Sequence, residues 1–159
     1  MTTLVIGFGN LLRGDDGVGL TIAQTLADNP PPDCQVIVRH QLTPELADAI
    51  ANATLVVFVD AAADAAPGVV VIRQIRESAK SPTGLGHASD PPGLLGLARR
   101  LYGRAPEAFL IGVGAGSFAM GEGLSDMVTA ALPEAIAAVR KLVARDSGGE
   151  DPSTGTGTP

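Results

Sequence analysis

Short apolar runs alternate along the chain with segments whose apolar residues recur at helical spacing. The runs at 3–8, 34–40, 54–60, 68–75 and 108–113 are rich in Val, Ile and Leu, which is typical of strands buried on both faces. Between them, apolar residues recur three or four positions apart, as one face of a helix requires. This alternation predicts an α/β domain with a mostly parallel sheet and helices on both faces.

Four of the intervening segments carry the sequence signals of helices. The first helix is predicted to begin near Asp16. Its apolar face would be formed by Val18, Ile22 and Leu26. The second is predicted to begin with Thr43 as N-cap, and with Pro44 and Glu45 in its first turn, an order that helix starts favour.

The third and fourth helices are predicted in the second half of the chain. Asp90 and Pro91 give the third helix an N-cap and a first-position proline, and Gly103 is a typical stop. Its apolar face would be formed by Leu94, Leu97 and Leu101. The last helix is predicted from Ser125 to about residue 145, and Pro133 is expected to split or kink it because proline has no N–H to donate.

The connection between the third and fourth runs limits the topology. Residues 60–68 are too few for a crossover helix, since a parallel connection needs about a dozen residues or more. The fourth strand is therefore expected to run antiparallel to the third or to be displaced from it.

Composition fits one domain and narrows its partners. The chain has 159 residues, of which 45% are apolar and only 3% aromatic, so aliphatic side chains must fill the core. A net charge of −6 without a basic cluster argues against nucleic acid or an anionic membrane as partner. The domain is predicted to span residues 1–145. Residues 146–159 hold no large apolar side chain and are predicted to form a disordered tail.

Cysteine usage and the amino terminus bear on the cellular compartment. Cys34 is the single cysteine, which excludes an internal disulfide and a cysteine-based zinc site and fits a reducing cytoplasm. The first residues lack the basic start of a signal peptide. The apolar stretch at 54–72 is interrupted by Asp60, Asp64 and Pro67, so it is not expected to span a bilayer.

The segment GFGNLLRGDDGVG (7–19) follows the first strand and carries two conflicting signals. A Gly-x-Gly turn there suggests a phosphate-binding loop, whereas the pair Asp15 and Asp16 attracts cations and repels phosphate. A dinucleotide motif would need a third glycine at position 12, where the chain has Leu12. The Gly-Lys-Ser/Thr sequence of a Walker loop is absent as well. Phosphate binding is therefore disfavoured.

The residues of this segment also have ordinary structural interpretations. Gly7 and Gly9 permit a tight turn and a close approach of another backbone. Asn10 can brace the loop with its amide. Asp15 and Asp16 can cap the following helix, because carboxylates satisfy free amides at a helix start.

Asp60 strengthens the cation interpretation. It directly follows the apolar residues 55–59, and in a doubly wound sheet ligands bind beyond the carboxyl ends of strands. If the first strand lies beside the second and the third, the loop with Asp15 and Asp16 sits next to Asp60, since neighbouring strands are ~4.8 Å apart. Close carboxylates repel, so one takes up a proton unless a cation neutralises them. A capping or turn role for Asp60 is the alternative.

His87 is the candidate third ligand. It lies in KSPTGLGHASDPPG (80–93), a long loop of the kind that is often functional in compact domains. One imidazole and two carboxylates suit nickel, zinc, iron or manganese. A solvent-exposed histidine without ligand role is the alternative, and His40 is expected only to end a strand.

Four features together resemble the hydrogenase maturation endopeptidases. They are GFGNLLRGDDGVG (7–19), VVFVDA (56–61), His87 before a leucine-rich helix, and GAGSFAMGEGLS (114–125). The similarity extends from about residue 3 to 143. It implies a three-layer α/β/α sandwich around a five-stranded mixed sheet with one antiparallel strand. It also implies a cytoplasmic endopeptidase that removes a short C-terminal extension from the precursor of a [NiFe]-hydrogenase large subunit after nickel insertion.

The resemblance also implies a site. The metal-contacting positions of the family correspond to Asp16, Asp60 and His87, which would be the catalytic residues as well. The residues expected to shape the cleft around them are Gly7, Gly9, Asn10 and Asp15. Nickel is expected to arrive with the precursor, and other divalent ions can occupy the site.

The chain departs from the family's pattern at two places. Some members have glutamate at the position of Asp16, so the metal or the loop would sit slightly closer here. Many members have an acidic residue soon after the last strand, where this chain reads VGAG (113–116). Backbone amides of residues 114–117 are instead expected to help hold the extended tail of the substrate.

Two other functions remain open from the residues alone. A non-enzymatic nickel carrier or chaperone could use the same three ligands, although the chain has only two histidines. A small-nucleotide-binding α/β enzyme would need phosphate or ribose contacts that the sequence lacks. The protein is expected to act as a monomer on the hydrogenase precursor.

Overall fold

The computed structural model describes residues 2–78, 90–121 and 123–148, with side chains to residue 146, as a sheet between two layers of helices. The strands are β1 (Thr2–Phe8), β2 (Cys34–Arg39), β3 (Ala53–Ala62), β4 (Val70–Ile75) and β5 (Glu107–Gly114). The helices are α1 (Val18–Asp28), α2 (Leu46–Ala51), α3 (Pro91–Tyr102) and α4 (Asp126–Gly148), and a 3-10 turn (Gly14–Gly17) precedes α1. The predicted α/β sandwich is confirmed.

The five strands are arranged in the order β2-β1-β3-β5-β4. β1 pairs in parallel with β2 and β3, β3 pairs in parallel with β5, and β4 runs antiparallel to β5. The first strand therefore lies between the second and the third, as predicted, and the fourth is both displaced and antiparallel. The short link to β4 closes in a turn in which the Val69 N–H donates to the Ala66 carbonyl (3.0 Å). Gly68, at φ +78°, supplies the left-handed conformation that this turn needs.

The sheet separates two apolar cores, and β3 contributes to both because its side chains alternate between faces. Val56 and Phe58 pack with α2 and α3. Leu55, Val57 and Val59 pack on the other face with α1 and α4. All five side chains are buried, and each such burial is worth about 1.5–3 kcal/mol. A sheet covered on both faces in this way leaves the strand ends as the place for ligand contacts.

Two helix starts differ from the predictions. α1 begins at Val18, because Gly14–Gly17 forms a 3-10 turn. α2 begins at Leu46 rather than beside Thr43. The Thr43 hydroxyl donates to the Glu45 side chain (3.1 Å) and caps no helix. Local hydrogen bonding within the turn has replaced the predicted cap.

The third helix follows its sequence signals at both ends. The Asp90 side chain accepts a hydrogen bond from the Gly93 N–H (2.7 Å), and Gly103 ends the helix at φ +78°. Leu94 and Leu97 are buried as predicted, but Leu101 is exposed. The prediction for Leu101 was wrong, because the buried residues of α3 end at Ala98 and its last turn is exposed.

The last helix is unbroken at Pro133, so the predicted split does not occur. It starts at Asp126 and continues to Gly148, three residues beyond its predicted end at about 145. Residues 149–159 of the predicted tail lie outside the described residues. Among the helices described, none combines the length and the apolar character needed to cross a membrane.

Candidate active site

The loop after β1 is held in a compact turn by its own backbone and by Asn10. The Asn10 side-chain carbonyl accepts from the Leu12 N–H (2.9 Å), and the Asn10 backbone carbonyl accepts from the Arg13 N–H (3.1 Å). These bonds return the chain toward β1, so that Asp16 lies above the carboxyl end of this strand. Asn10 thus braces the loop, as the sequence analysis expected.

Asp16 is anchored to the start of the same loop. The Asn10 N–H donates to Asp16 Oδ2 (3.0 Å) and to the Asp16 backbone carbonyl (3.2 Å). The Asp16 side chain is half-buried. One carboxylate oxygen is therefore held by the loop, which leaves the other with free acceptor capacity.

Asp60 lies near the carboxyl end of β3, beside this loop. β1 and β3 are paired up to Gly7 and Val59, so the residue after Val59 stands next to the exit of β1. β3 itself continues to Ala62, two residues further than predicted. Asp60 is half-buried and lies near the end of the sheet where ligands of such folds bind.

The carboxylates of Asp16 and Asp60 interact electrostatically. Burial raises the pKa of Asp60 to about 7, a hydrogen bond from the Ala61 backbone opposes this rise, and the negative charge of Asp16 adds to it. Desolvation and a like charge both disfavour the ionised form. Asp16 and Asp60 are therefore close enough to interact electrostatically, and among the described residues no ion pair neutralises either carboxylate. That the two acids hold a cation together with His87 stays a prediction.

Asp15 does not cap the helix, and its carboxylate has a different role. It is fully buried and accepts four hydrogen bonds from three residues far along the chain. Oδ2 accepts from Gly116 N (2.7 Å), Ser117 N (2.9 Å) and the Ser125 hydroxyl (2.8 Å), and Oδ1 accepts from Ser125 N (2.6 Å). We call these four residues the Asp15 network. Burial raises the pKa of Asp15, but the bonds from Ser125, Gly116 and Ser117 outweigh it and hold this pKa below 3.8.

The backbone amides of residues 114–117 are all used within the chain. Gly114 N donates to the Val69 carbonyl (2.8 Å) and Ala115 N to the Ala62 carbonyl (3.3 Å). Gly116 N and Ser117 N donate to Asp15. The expectation that these amides hold the substrate tail is therefore wrong, because each donor already has an acceptor.

The glycines of the loop serve close packing. A Cβ on Gly7 would lie 2.3 Å from the Ala23 Cβ and 2.4 Å from the Gly19 carbonyl oxygen. A Cβ on Gly9, at φ +147°, would lie 2.0 Å from the Asp16 carbonyl oxygen. Gly7 thus lets α1 approach the sheet, and Gly9 lets the loop close on Asp16.

His87 is the remaining residue of the predicted metal site. His87 lies outside the described residues, so its place beside Asp16 and Asp60 stays a prediction. Over residues 2–78, 90–121 and 123–148, no three acidic, histidine or cysteine side chains form a group that could hold a metal. In the segment after β5, the N–H groups of Gly116 and Ser117 belong to the Asp15 network. The hydrogen bonds between Ser125 and Asp15 were not predicted, because the sequence indicated Ser125 only as the start of the last helix.

Comparison with known proteins relates this geometry to one group of enzymes. No protein-family model matches the chain, and no curated protein matches it in sequence. Among solved structures, it is similar to the hydrogenase maturating endopeptidase HybD from E. coli, with 27% identity, 93% of this chain and 94% of that chain covered, and a TM-score of 0.76.

Two further solved structures agree. The [NiFe] hydrogenase maturation protease HybD from Thermococcus kodakarensis has 27% identity over 90% of this chain and 99% of its own, with a TM-score of 0.70. The hydrogenase 2 maturation peptidase from Thaumarchaeota archaeon SCGC_AB-539-E09 has 27% identity over 94% of this chain and 100% of its own, with a TM-score of 0.61. These neighbours support the family suggested by the sequence motifs, the hydrogenase maturation endopeptidases.

Proposed function

We propose that this protein is an endopeptidase that removes the C-terminal extension from the nickel-loaded precursor of a [NiFe]-hydrogenase large subunit. Its structural neighbours are hydrogenase maturation proteases, which supports a protease role in hydrogenase maturation. The observation that carries the proposal is the pairing of Asp16 with Asp60 at the carboxyl end of the sheet. No other function considered for the chain accounts for both facts.

The donor set fits a divalent cation. Burial, and to a smaller extent the charge of Asp16, raises the pKa of Asp60, and a divalent ion would neutralise both carboxylates. Carboxylate oxygens together with an imidazole suit nickel as well as zinc, iron or manganese. Asp16 and Asp60 would hold the ion, and His87 is proposed as the third ligand from the resemblance.

Nickel enters this site as part of the substrate, because it is already bound to the precursor when the two proteins meet. Asp16 and Asp60 would recognise the metal centre and orient the adjoining peptide in the cleft. Orientation alone can supply several kcal/mol of the barrier to a reaction. Bound nickel can also polarise a carbonyl group as a Lewis acid. Cleavage would in this way depend on prior metal insertion.

An exposed apolar surface beside the acids suits a polypeptide substrate. Leu12 and Met120 lie side by side, because Arg13 forms a parallel bridge with Gly121 and the Gly121 N–H donates to the Leu12 carbonyl (2.8 Å). Leu12 is 55% exposed and Met120 84%. Contiguous apolar exposure of this kind marks interaction surfaces. The surface belongs to the same loop as Asp16, so its occupant would be the precursor segment next to the scissile bond.

The test compares nickel-loaded with nickel-free precursor. The protein is incubated with each, and release of the C-terminal peptide is followed by mass spectrometry. Release from the loaded precursor alone is expected, and equal release from both would refute recognition through nickel. Tight nickel binding without any peptide release would instead favour the carrier function.

Variants of the two aspartates and the histidine test the site itself. Asp16→Asn, Asp60→Asn and His87→Ala are each expected to reduce processing at least a hundredfold while circular dichroism stays unchanged. Asp48→Asn, an exposed acid on α2, is the control and should process normally. Normal processing by any of the first three variants would remove that residue from the site.

A further inference from the structure

The segment 115–121 crosses the carboxyl end of the sheet and touches the elements that carry both acids. At one end, Ala115 N donates to the carbonyl of Ala62, two residues after Asp60 on β3. At the other end, Gly121 is bonded to the loop that precedes Asp16: its N–H donates to Leu12, and its carbonyl accepts from the Gly14 N–H (3.1 Å). The segment therefore spans the gap between the supports of the two carboxylates.

Asp15 fixes this segment in place from the centre. Its carboxylate accepts hydrogen bonds from the N–H groups of Gly116 and Ser117. The Asp15 N–H in turn donates to the Ser117 carbonyl (2.8 Å). The two bonds from Ser125 hold the same carboxylate to the start of α4. A buried carboxylate with four donors is a rigid support, because each of its bonds is charge-assisted and any one left unmade would strand a buried polar group.

We infer that Asp15 is a positioning residue: through the Asp15 network it sets the position of Asp16 relative to Asp60. Asp15 and Asp16 are neighbours in one tight turn, so a shift of the first moves the second. Asp60 is coupled through β3, to which segment 115–121 is bonded at Ala62. Because its carboxylate is fully buried and already accepts four hydrogen bonds from within the chain, Asp15 acts through its neighbours. The inference rests on the proposed function, since it assigns Asp16 and Asp60 as the pair to be positioned.

A second, partly buried carboxylate that joins remote elements lies at the opposite end of the sheet and provides a control. Asp146 on α4 accepts from the hydroxyls of Thr3 (2.6 Å) and Thr54 (2.7 Å), at the amino ends of β1 and β3. Like Asp15, it joins elements that are remote in sequence, but it lies away from the acids. Its loss should lower stability without moving Asp16.

The experiment uses two readouts on Asp15→Asn, Asp146→Asn and the unaltered protein. The first is amide hydrogen exchange in the metal-free protein, observed at Asn10, whose N–H bonds to Asp16, and at Gly121. The second is the affinity for Ni²⁺ by calorimetry at a temperature where all three proteins are folded. Asp15→Asn should exchange at least tenfold faster at Asn10 and Gly121 and bind Ni²⁺ at least tenfold more weakly. Asp146→Asn should show a lower Tm, with both readouts within twofold of the unaltered protein.

The outcomes separate the inference from the proposed function. A folded Asp15→Asn protein with exchange and affinity within twofold would overturn the inference, as would equal effects of Asp146→Asn. If the unaltered protein releases no peptide from the nickel-loaded precursor, the proposed function fails, and exchange at Asn10 decides on the positioning role. The same exchange decides on it if the unaltered protein binds no free Ni²⁺.

Two milder variants keep the inference testable if Asp15→Asn does not fold. Ser125→Ala removes one of the four bonds to Asp15. Gly116→Ala places a Cβ about 3.2 Å from Ser125 Oγ and 3.3 Å from Asp15 Oδ2 and so disturbs the network from the donor side. Each should weaken Ni²⁺ binding about threefold and speed exchange at Asn10, and unchanged values in both would overturn the inference.

Discussion

The carboxylate of Asp15 binds Ser125, a residue 110 positions further along the chain, through both the backbone N–H (2.6 Å) and the hydroxyl (2.8 Å). Asp15→Asn keeps the volume but turns one acceptor into a donor that faces other donors. We expect it to lower the free energy of unfolding by about 2–4 kcal/mol at pH 7, because buried donors lose their acceptor. Urea unfolding measures the difference.

Acid should remove most of that difference. The hydrogen bonds hold the pKa of Asp15 below its usual value in the folded state, so its contribution is complete above the unfolded-state pKa. It is lost as the pH falls through the folded-state pKa. Unfolding of the two proteins from pH 7 to pH 2.5 should therefore converge. Asp64→Asn, which breaks an exposed pair with Arg73, is the control and should change stability little. A constant gap at all pH values would contradict the assignment.

Nickel binding should depend on pH through Asp60. Because the pKa of Asp60 is raised to about 7, this carboxyl is largely protonated at pH 6 and ionised at pH 8. A cation must displace that proton, so affinity should rise up to about tenfold per pH unit below 7 and level off above it. Calorimetry at pH 6.5 in two buffers of different ionisation enthalpy would detect the released proton. Proton release should be smaller in Asp60→Asn, and an affinity that is flat from pH 6 to 8 would count against Asp60 as a ligand.

Removing apolar side chains beside the site should weaken precursor binding. Leu12→Ser and Met120→Ser are expected to raise KM for the precursor about tenfold each with kcat unchanged, because exposed apolar contacts contribute to binding and not to the reaction itself. Ile72→Ser is the matched control, since Ile72 on β4 is 54% exposed, nearly the same as Leu12. A change in kcat with constant KM would argue that these residues position the catalytic acids instead.

The sole thiol should be inert. Burial raises the pKa of Cys34 to about 11, and nearby Arg140 lowers it by less, so the thiol stays protonated at neutral pH and is a poor nucleophile. Iodoacetamide should modify it more slowly than free cysteine, and Cys34→Ser should process the precursor normally. Loss of processing in that variant would reopen a cysteine-protease mechanism.

The candidate pair of acids could be found from the sequence because it depends on simple rules. A buried run places Asp60 near a strand end, and parallel strands bring their carboxyl ends to one edge of the sheet. The role of Asp15 depends instead on residues 116, 117 and 125, and no local pattern reports a bond across such a separation. An acid beside a helix start resembles a cap, and only tertiary structure distinguishes a cap from a long-range tie.

The predictions for one buried face and one helix start were wrong for a related reason. Spacing identified the apolar face of α3, but burial of that face ends at Ala98 and leaves Leu101 exposed. Thr43 is a residue type that N-cap positions favour, yet its hydroxyl donates to the Glu45 side chain and caps no helix. Propensity and periodicity describe what a segment can do, and packing decides which of its residues do it.

Gly19 in helix α1 provides the close contact between helix and strand that the third glycine provides in a dinucleotide-binding motif. That motif needs a third glycine for close packing of helix on strand, and position 12 offers none. Gly19 performs the packing here: a Cβ on it would lie 2.4 Å from the Val59 carbonyl oxygen and 2.5 Å from that of Phe8. Both obstacles are strand backbone, which cannot move aside without distorting β1 or β3.

Gly19→Ala should therefore destabilise the fold by about 2–4 kcal/mol, despite the better helix propensity of alanine. Gly96→Ala on α3 is the control, because among the described residues its Cβ would meet one atom closer than 4.0 Å, the Ser78 carbonyl oxygen at 3.2 Å, which lies in a loop and not in a strand. This variant should be much less destabilised. Thermal unfolding compares the two. Since Val59 precedes Asp60, the displaced helix should also weaken Ni²⁺ binding in the Gly19 variant and leave it unchanged in the Gly96 variant. Equal stability of both variants would mean that α1 can lift from the sheet freely, and that the carboxyl ends of β1 and β3 are not held by this contact.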